Sequence, residues 1–202
     1  YTAPYPSNIN WDGKAIKPWA APRERNIFAS FVGKFTHGDQ RVRGTIQKFC
    51  SRLPDSVLHC ETWSKDYAQG MGLKFRSTFC FEPHGDNIGR KSLSDDYASG
   101  CIPVFFGTAG TYQYPAIWQG WHTAAYIVLD RLAVVDHGLD IIETLRKIPQ
   151  SKVQEIQANI ALHGGMFQHN MQDSDEVTDG IAVMLRRLWV DALNLTGGNA
   201  TR

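Results

Sequence analysis

Several things are missing from this sequence, and each absence excludes a class of function. The four cysteines, Cys50, Cys60, Cys80 and Cys101, stand far apart and form no Cys-x-x-Cys pair, so neither a zinc ribbon nor a dithiol redox centre is indicated. No metal-ligand spacing is found elsewhere. An excess of one charge is also lacking: 21 Lys and Arg against 20 Asp and Glu leave a formal net charge of +1. That excludes the basic footprint of a protein whose main partner is nucleic acid, and no Lys/Arg run marks a membrane-surface patch. No apolar stretch approaches the ~20 residues of a membrane span. There is no Gly-x-Ser-x-Gly elbow to support a serine hydrolase of that design. Internal repeats and low-complexity tracts are absent as well. The chain begins at Tyr1 without Met or a signal-like segment, so we expect a piece of a longer protein.

What is present describes a globular domain. A chain of 202 residues with 43% hydrophobic and 20% charged residues suits one domain. It is long enough to remove roughly 70% of its unfolded surface from water without structural metals or dense disulfides. All four cysteines lie in or beside apolar runs, which suggests buried thiols acting as small hydrophobes. Two Asn-x-Thr acceptors, Asn194-Leu-Thr196 and Asn199-Ala-Thr201, crowd the C-terminal tail and favour a lumenal compartment.

Along the chain, residues 1–25 hold Pro4, Pro6, Pro18 and Pro22 among Asn8, Asn10 and Gly13, which leaves no room for a periodic element. They form a lead-in segment or interdomain linker. The domain proper is expected over 26–195, and residues 196–202 form a polar tail. Strands are expected at 26–32, 56–60, 77–81, 102–106 and 124–129, each a short apolar run of the kind buried on both faces. Val42, Ile46, Phe49 and Leu53 recur at helical spacing, with Pro54 just past the end. A short helix spans 92–99. Alternating strands and helices indicate the α/β class: a Rossmann-like parallel sheet with helices on both faces. If the strands at 77–81 and 102–106 are neighbouring parallel strands, Cys80 and Cys101 lie near their opposite ends, too far apart for a disulfide. Beyond Leu139 three helices follow, carried by Leu139, Ile142 and Leu145, by Val153, Ile156, Ile160 and Phe167, and by Val177, Ile181, Met184 and Leu188. Ser151 and Gln154 suggest a capping box at the start of the second. This helical layer is expected to pack back on the sheet.

The densest chemical signal runs from Ser77 to Val104 as strand, glycine-containing loop, helix and strand. In an open α/β sheet, ligands bind outside the carboxyl ends of the strands, and the 82–91 loop leaves such an end. A helix starting near Ser92 offers unpaired N–H groups and a positive dipole end to phosphate. Arg90 and Lys91 stand just before it, and Arg grips two phosphate oxygens at once. Gly85 and Gly89 let the backbone approach a ligand. Asp95, one turn into the helix, is placed for a ribose hydroxyl. Bland readings stand beside these: Ser92 with Asp95 as an N-cap pair, Arg90 and Lys91 as a solvated turn, and Gly85 with Asp86 as an ordinary turn. His84 is either a donor to sugar or phosphate or a solvent-facing loop residue. Trp118 and Trp121 are candidates for sugar stacking, with core packing favoured for at least one of them. Trp11 and Trp19 serve either this domain or contact with another half. His163 and His169, near a helix end, suit capping or surface roles rather than metal ligation.

The run Ser77-x-Phe-Cys-Phe-x-Pro-x-Gly-Asp86, then Arg90-Lys-Ser-x-x-Asp95, then Gly100-Cys-Ile-Pro-Val104 resembles the nucleotide-sugar-binding half of exostosin-type glycosyltransferases. Arg25 to Gly33 resembles the opening strand of that half, and Arg43-x-x-Ile46 the motif that follows. Tyr114-Pro115, Trp121, Ile127 to Asp130 and Leu145-x-x-Ile148-Pro continue the likeness, which covers roughly residues 23–170. Ser94 and Asp96 depart from it, standing where an aromatic and a small residue are usual. The resemblance implies a two-domain GT-B enzyme of which this chain is the C-terminal, donor-binding half. It implies transfer of a sugar from a nucleotide diphosphate donor, usually UDP-linked, to a glycan or glycoprotein, with no cofactor or bound metal. It implies donor contacts at Gly33, Arg43, His84, Gly85, Asp86, Arg90, Lys91, Ser92 and Asp95, with the general base in the N-terminal half. The compartment implied is the Golgi or endoplasmic reticulum lumen, with tethering by a membrane helix outside this chain. The alternative is a non-catalytic assembly partner that keeps the fold.

Overall fold

The structure, a computed structural model, describes residues 3–195 apart from 8, 10, 14, 15, 63–66, 88, 119–123 and 171–176. Trp121, Thr196 of the first Asn-x-Thr acceptor, the whole of the second and the 196–202 tail therefore lie outside the described residues.

The continuous apolar runs become strands of a single parallel sheet: Ile27–Val32 (β1), Leu58–Glu61 (β2), Ser77–Glu82 (β3), Ile102–Phe106 (β4) and Ile127–Leu129 (β5). Their order is β2-β1-β3-β4-β5. Ala29, Phe31, Phe79, Phe81, Ile102 and Val104 are buried in its centre. A parallel sheet covered on both faces demands such residues on both sides of each strand, which is why the runs do not alternate with polar residues.

The order dictates where the helices go. The chain leaves β1 for β2 in one direction and later crosses from β2 to β3 and on to β4 in the other. With right-handed crossovers, the first helix falls on one face and the next two on the opposite face. Accordingly Gln40–Cys50 (α1) packs with Arg131–Asp136 (α4), and Tyr67–Arg76 (α2) packs with Lys91–Ser99 (α3). Ile141–Arg146 (α5), Gln150–His163 (α6) and Gly180–Leu195 (α7) follow. Val153, Ile156 and Ile160 of α6 join the main core, so this layer does fold back on the sheet. Trp11 and Trp19 are buried with Val177 in a smaller cluster, which packs the lead-in segment onto the C-terminal layer of this same chain.

Several elements differ from the sequence expectation. Helices α2 and α4 were not expected; Gly70 and Gly72 within α2 weaken its helical signal, and α4 is only six residues long. β5 is confined to three residues. Pro149 already opens the first turn of α6, so Ser151 falls inside the helix, no side chain caps it, and the capping box does not form.

The cysteines are the clearest correction. They are not buried thiols: Cys50 joins Cys60 and Cys80 joins Cys101, each with Cα atoms 5.9 Å apart. β3 and β4 are neighbours as expected, but they do not start level. Ile102 stands opposite Phe79, midway along β3, so Cys101 lies just before the point at which Cys80 lies just after. That stagger brings the two sulfurs together and overturns the expectation that a bridge could not form.

Candidate functional site

A sheet in the order 2-1-3-4-5 reverses direction between β1 and β3, and loops leaving those two strands toward opposite faces part to leave a crevice. A cleft of about 380 Å³ opens there. Its walls come from Val32 to Lys34 after β1, Glu61 at the end of β2, Tyr67 to Lys74 on α2, and Arg90 to Asp95 at the start of α3.

The rim is fixed by contact between the loops after β1 and β3. Gly38 has φ of +62°, and a Cβ there would lie 2.2 Å from the carbonyl oxygen of His84, so only glycine fits. Its amide donates to Asp86 Oδ1 at 3.1 Å, and the Asp39 amide donates to the His84 carbonyl at 3.0 Å. Asp39 caps α1 through Val42 N and accepts from Arg131 Nε at 2.5 Å. Arg43, buried one turn into α1, spends its guanidinium on carbonyls, from Nη1 to Lys34 at 2.5 Å and from Nη2 to Pro83 and His84 at 3.2 Å. Burial, with Arg90 nearby, lowers its pKa to about 10. Arg43 thus clasps both loops.

Below the rim, the start of α3 rests on buried charge. Lys74 of α2 is 3% exposed, and its Nζ donates to Ser92 Oγ at 3.0 Å, to Glu82 Oε1 at 3.4 Å and to Asp96 Oδ1. Ser92 Oγ in turn donates to Glu82 Oε1 at 2.5 Å. Arg90 Nε lies 3.3 Å from Glu82 Oε2, and its Nη1 donates to the Pro83 carbonyl. Burial alone would raise Glu82, but Arg90 and Lys74 outweigh it and hold the carboxyl below its usual range. Burial would likewise lower Lys74, yet Asp96 and Glu82 raise it. Burial and the charge of Glu82 push Asp96 well above the ordinary carboxylate range.

Six of the nine residues assigned to donor contact line the cleft: Gly33, Arg43, Arg90, Lys91, Ser92 and Asp95. His84, Gly85 and Asp86 do not; they form the adjoining loop that seats against Gly38 and Asp39. Burial is the main cause that lowers the His84 pKa. Asp95 accepts from Lys91 Nζ at 2.7 and 2.9 Å and from Ser7 Oγ at 2.7 Å, so the structure binds it to its own chain. Trp118 is 4% exposed and packs its ring against Tyr97, Tyr126 and Phe167, which makes it core. The sequence reading missed Lys34, His37, Glu61, Tyr67, Met71 and Lys74 in the cleft walls. Four of those sit on unread α2 or at the end of β2, and the rule that ligands gather at strand ends would have found Glu61.

Chemically the cleft offers a helix N-terminus to an anion. α3 begins at Lys91 with Arg90 before it and no side-chain cap; the Leu93 amide donates to the Arg90 carbonyl at 3.3 Å, and the helix start keeps its positive dipole end. Arg90 and Lys91 stand at that start, and Lys34, in the loop after β1, lines the same cleft. Among the described residues, no group of three His, Cys, Asp or Glu side chains is placed to hold a metal ion.

Comparison with known proteins gives a consistent picture. The family model described as the Exostosin GT47 domain matches residues 1–138, more than half of the chain. A probable xyloglucan galactosyltransferase of Arabidopsis thaliana is 27% identical over 79% of this chain and 36% of its own length. The xyloglucan galactosyltransferase MUR3 of the same plant is 33% identical over 68% of this chain and 23% of its own length. A xyloglucan-specific galacturonosyltransferase, also from that plant, is 32% identical over 55% of this chain. The chain thus spans about a third or less of the length of these relatives.

Proposed function

We propose, for a chain that belongs to the exostosin GT47 family, that it holds the nucleoside diphosphate of a sugar donor, UDP in the simplest case, for transfer of the sugar to a glycan acceptor. The observation that carries this reading is the uncapped start of α3, flanked by Arg90 and Lys91, opening into the crevice between β1 and β3. As the bond to the sugar breaks, negative charge develops on the leaving diphosphate. The amides of the first α3 turn and the Arg90 guanidinium are preorganised to meet that charge, a task a divalent ion performs in other transferases. The acceptor hydroxyl must lose its proton to a base, and this reading assigns that base to a second, N-terminal half.

The galactosyl and galacturonosyl transfer to xyloglucan named for the relatives makes a plant-type glycan the acceptor class to test first. Two disulfides suit an oxidising lumen, which supports a Golgi or endoplasmic reticulum location.

Saturation-transfer NMR with UDP tests the reading. Magnetisation is expected to reach the UDP protons with the parent chain and to fall away in Lys91→Glu, which places a carboxylate at the helix start. No transfer to UDP at millimolar concentration would leave the non-catalytic assembly partner as the better account. The chain by itself is expected to transfer no sugar, and detectable transfer would refute the division into two halves.

A further inference from the structure

We infer that this chain holds a carboxylated glycan, one that carries uronic acid residues, in a second cavity at the amino ends of β1 and β3; the choice of a glycan rests on the sugar-transfer reading above.

This cavity, of about 630 Å³, is larger than the cleft. It is lined by lead-in residues between Trp19 and Arg25, by Phe28 and Thr78 near the starts of β1 and β3, and by the end of α5 and one face of α6. Phe28 stands near one end of β1, and Val32, which lines the cleft, at the other, roughly 13 Å away along the strand. The cavity and the cleft share no lining residue, so both can be occupied at once.

The charge of the lining is one-sided. Arg23, Arg25 and Arg146 belong to it, and among the described residues no Asp or Glu does. Arg25 is committed: it donates to the Ser77 carbonyl at 2.6 Å and to the Ser99 carbonyl at 2.9 Å, and burial together with the charge of Arg23 lowers its pKa to about 10. Arg23 has no ion pair among the described residues. Its guanidinium lies over the Phe75 ring, 3.8 Å from the centroid, and donates to the Pro18 carbonyl at 3.5 Å. Arg146 pairs with Glu143 at 3.1 Å, but both side chains are about half exposed, and such a pair exchanges readily for another carboxylate. α6 starts at Gln150 with no side-chain cap, which adds the positive end of a 14-residue helix to the same lining. Together these groups favour an anion.

The rest of the lining selects the kind of anion. Gln150 and Gln157 each bring an amide oxygen beside their N–H donors, and Thr78 brings a hydroxyl. A phosphate ion has little to donate to those acceptors, whereas sugar hydroxyls both donate and accept. Phe28 is half-buried and offers an apolar ring to the C–H face of a pyranose. Arginine takes a carboxylate by a two-point grip. A uronic acid unit supplies all three partners: carboxylate, hydroxyls and an apolar ring face.

The test titrates trigalacturonate, neutral galactotriose, triglutamate and UDP into the parent chain, Arg23→Gln, Arg146→Gln and Gln157→Ala, with amide NMR to place each ligand. The parent is expected to bind trigalacturonate at least about tenfold more tightly than galactotriose, which lacks the carboxylates, or triglutamate, which lacks the ring hydroxyls. The trigalacturonate shifts should centre on Arg25, Arg146 and Gln150 to Gln157. Either arginine variant should weaken its binding about threefold to tenfold, between the effect of an exposed ion pair and that of a charge-assisted hydrogen bond. Gln157→Ala should weaken trigalacturonate and leave triglutamate unchanged. UDP affinity should stay within about twofold of the parent's in every variant, because the two sites are separate. The inference is overturned if trigalacturonate does not bind, if its shifts fall on Lys34, Arg90 and Lys91, if the arginine variants bind it like the parent, or if UDP affinity falls in step with it. Equal binding of triglutamate also overturns it and makes the cavity a seat for an acidic peptide. A parent that binds trigalacturonate in this cavity but does not bind UDP removes the donor-site reading alone.

Discussion

Replacing Arg90 by Ala removes a guanidinium that does two jobs, and the structure separates them. Its side chain is 14% exposed and faces Glu82, itself 1% exposed, at 3.3 Å. Breaking a buried pair by deleting one partner costs about 3–5 kcal/mol when the other charge is left alone. Glu82 is not left alone, because Lys74 and Ser92 still bond to it. The expected loss is therefore nearer a single charge-assisted hydrogen bond, about 1.5–3 kcal/mol. For a chain of this size that is a fall of roughly 3–12 °C in melting temperature. As the solvated turn residue that the sequence also allowed, Arg90 would contribute little to stability. The double variant Arg90→Ala/Glu82→Gln should lie closer to the parent than the summed single effects. With the Glu82 charge gone, Asp96 loses one cause of its raised pKa and ionises more readily beside Lys74. Thermal unfolding of the four proteins gives the coupling energy, and calorimetric titration gives UDP affinity, expected to drop about tenfold to a hundredfold in Arg90→Ala. An Arg90→Ala protein that melts with the parent would refute the buried pair and return Arg90 to a solvated turn.

Three further outcomes follow from the same geometry. Gly38→Ala puts a Cβ against the His84 backbone at a positive φ, so it should cost at least the 1–3 kcal/mol of backbone strain and appear as a lower denaturation midpoint. Asp96 holds its proton more tightly folded than unfolded. Its contribution to stability is therefore intact below its ordinary pKa of 3.8 and is lost as pH rises from there through the raised folded value; Asp96→Asn should flatten that decline in a pH series of urea unfolding curves. Replacing Cys80 and Cys101 together by Ser should destabilise by about 3 kcal/mol through the freed loop of 21 residues, read from guanidinium titrations.

How much was legible depends on where each signal lives. The runs Ile27–Val32 and Ile102–Phe106 announce themselves because a strand buried on both faces must be apolar throughout, and that is local information. α2 was hidden because its stability comes from packing on α3 and from Lys74, whose counter-charges arrive from elsewhere in the chain. The pairing of Cys80 with Cys101 depends on strand register, a tertiary quantity that neither cysteine's neighbours encode. Arg90, Lys91, Ser92 and Asp95 were found because strand, loop and helix start follow one another in sequence. The engagement of Asp95 by Ser7, 88 positions away, was beyond any local reading. Glu61 lay between the two cases, at the visible end of a strand whose edge position only the topology reveals.

The most direct measurement is an amide NMR titration of the chain with UDP, because it reports where the ligand sits rather than only whether it binds. The account predicts the largest shifts at Gly33 and Lys34, at Glu61, and at Lys91 to Asp95, which line the crevice between β1 and β3. Shifts centred instead on Arg25 and Arg146, in the cavity at the opposite end of the strands, would contradict it, as would a spectrum unchanged by UDP.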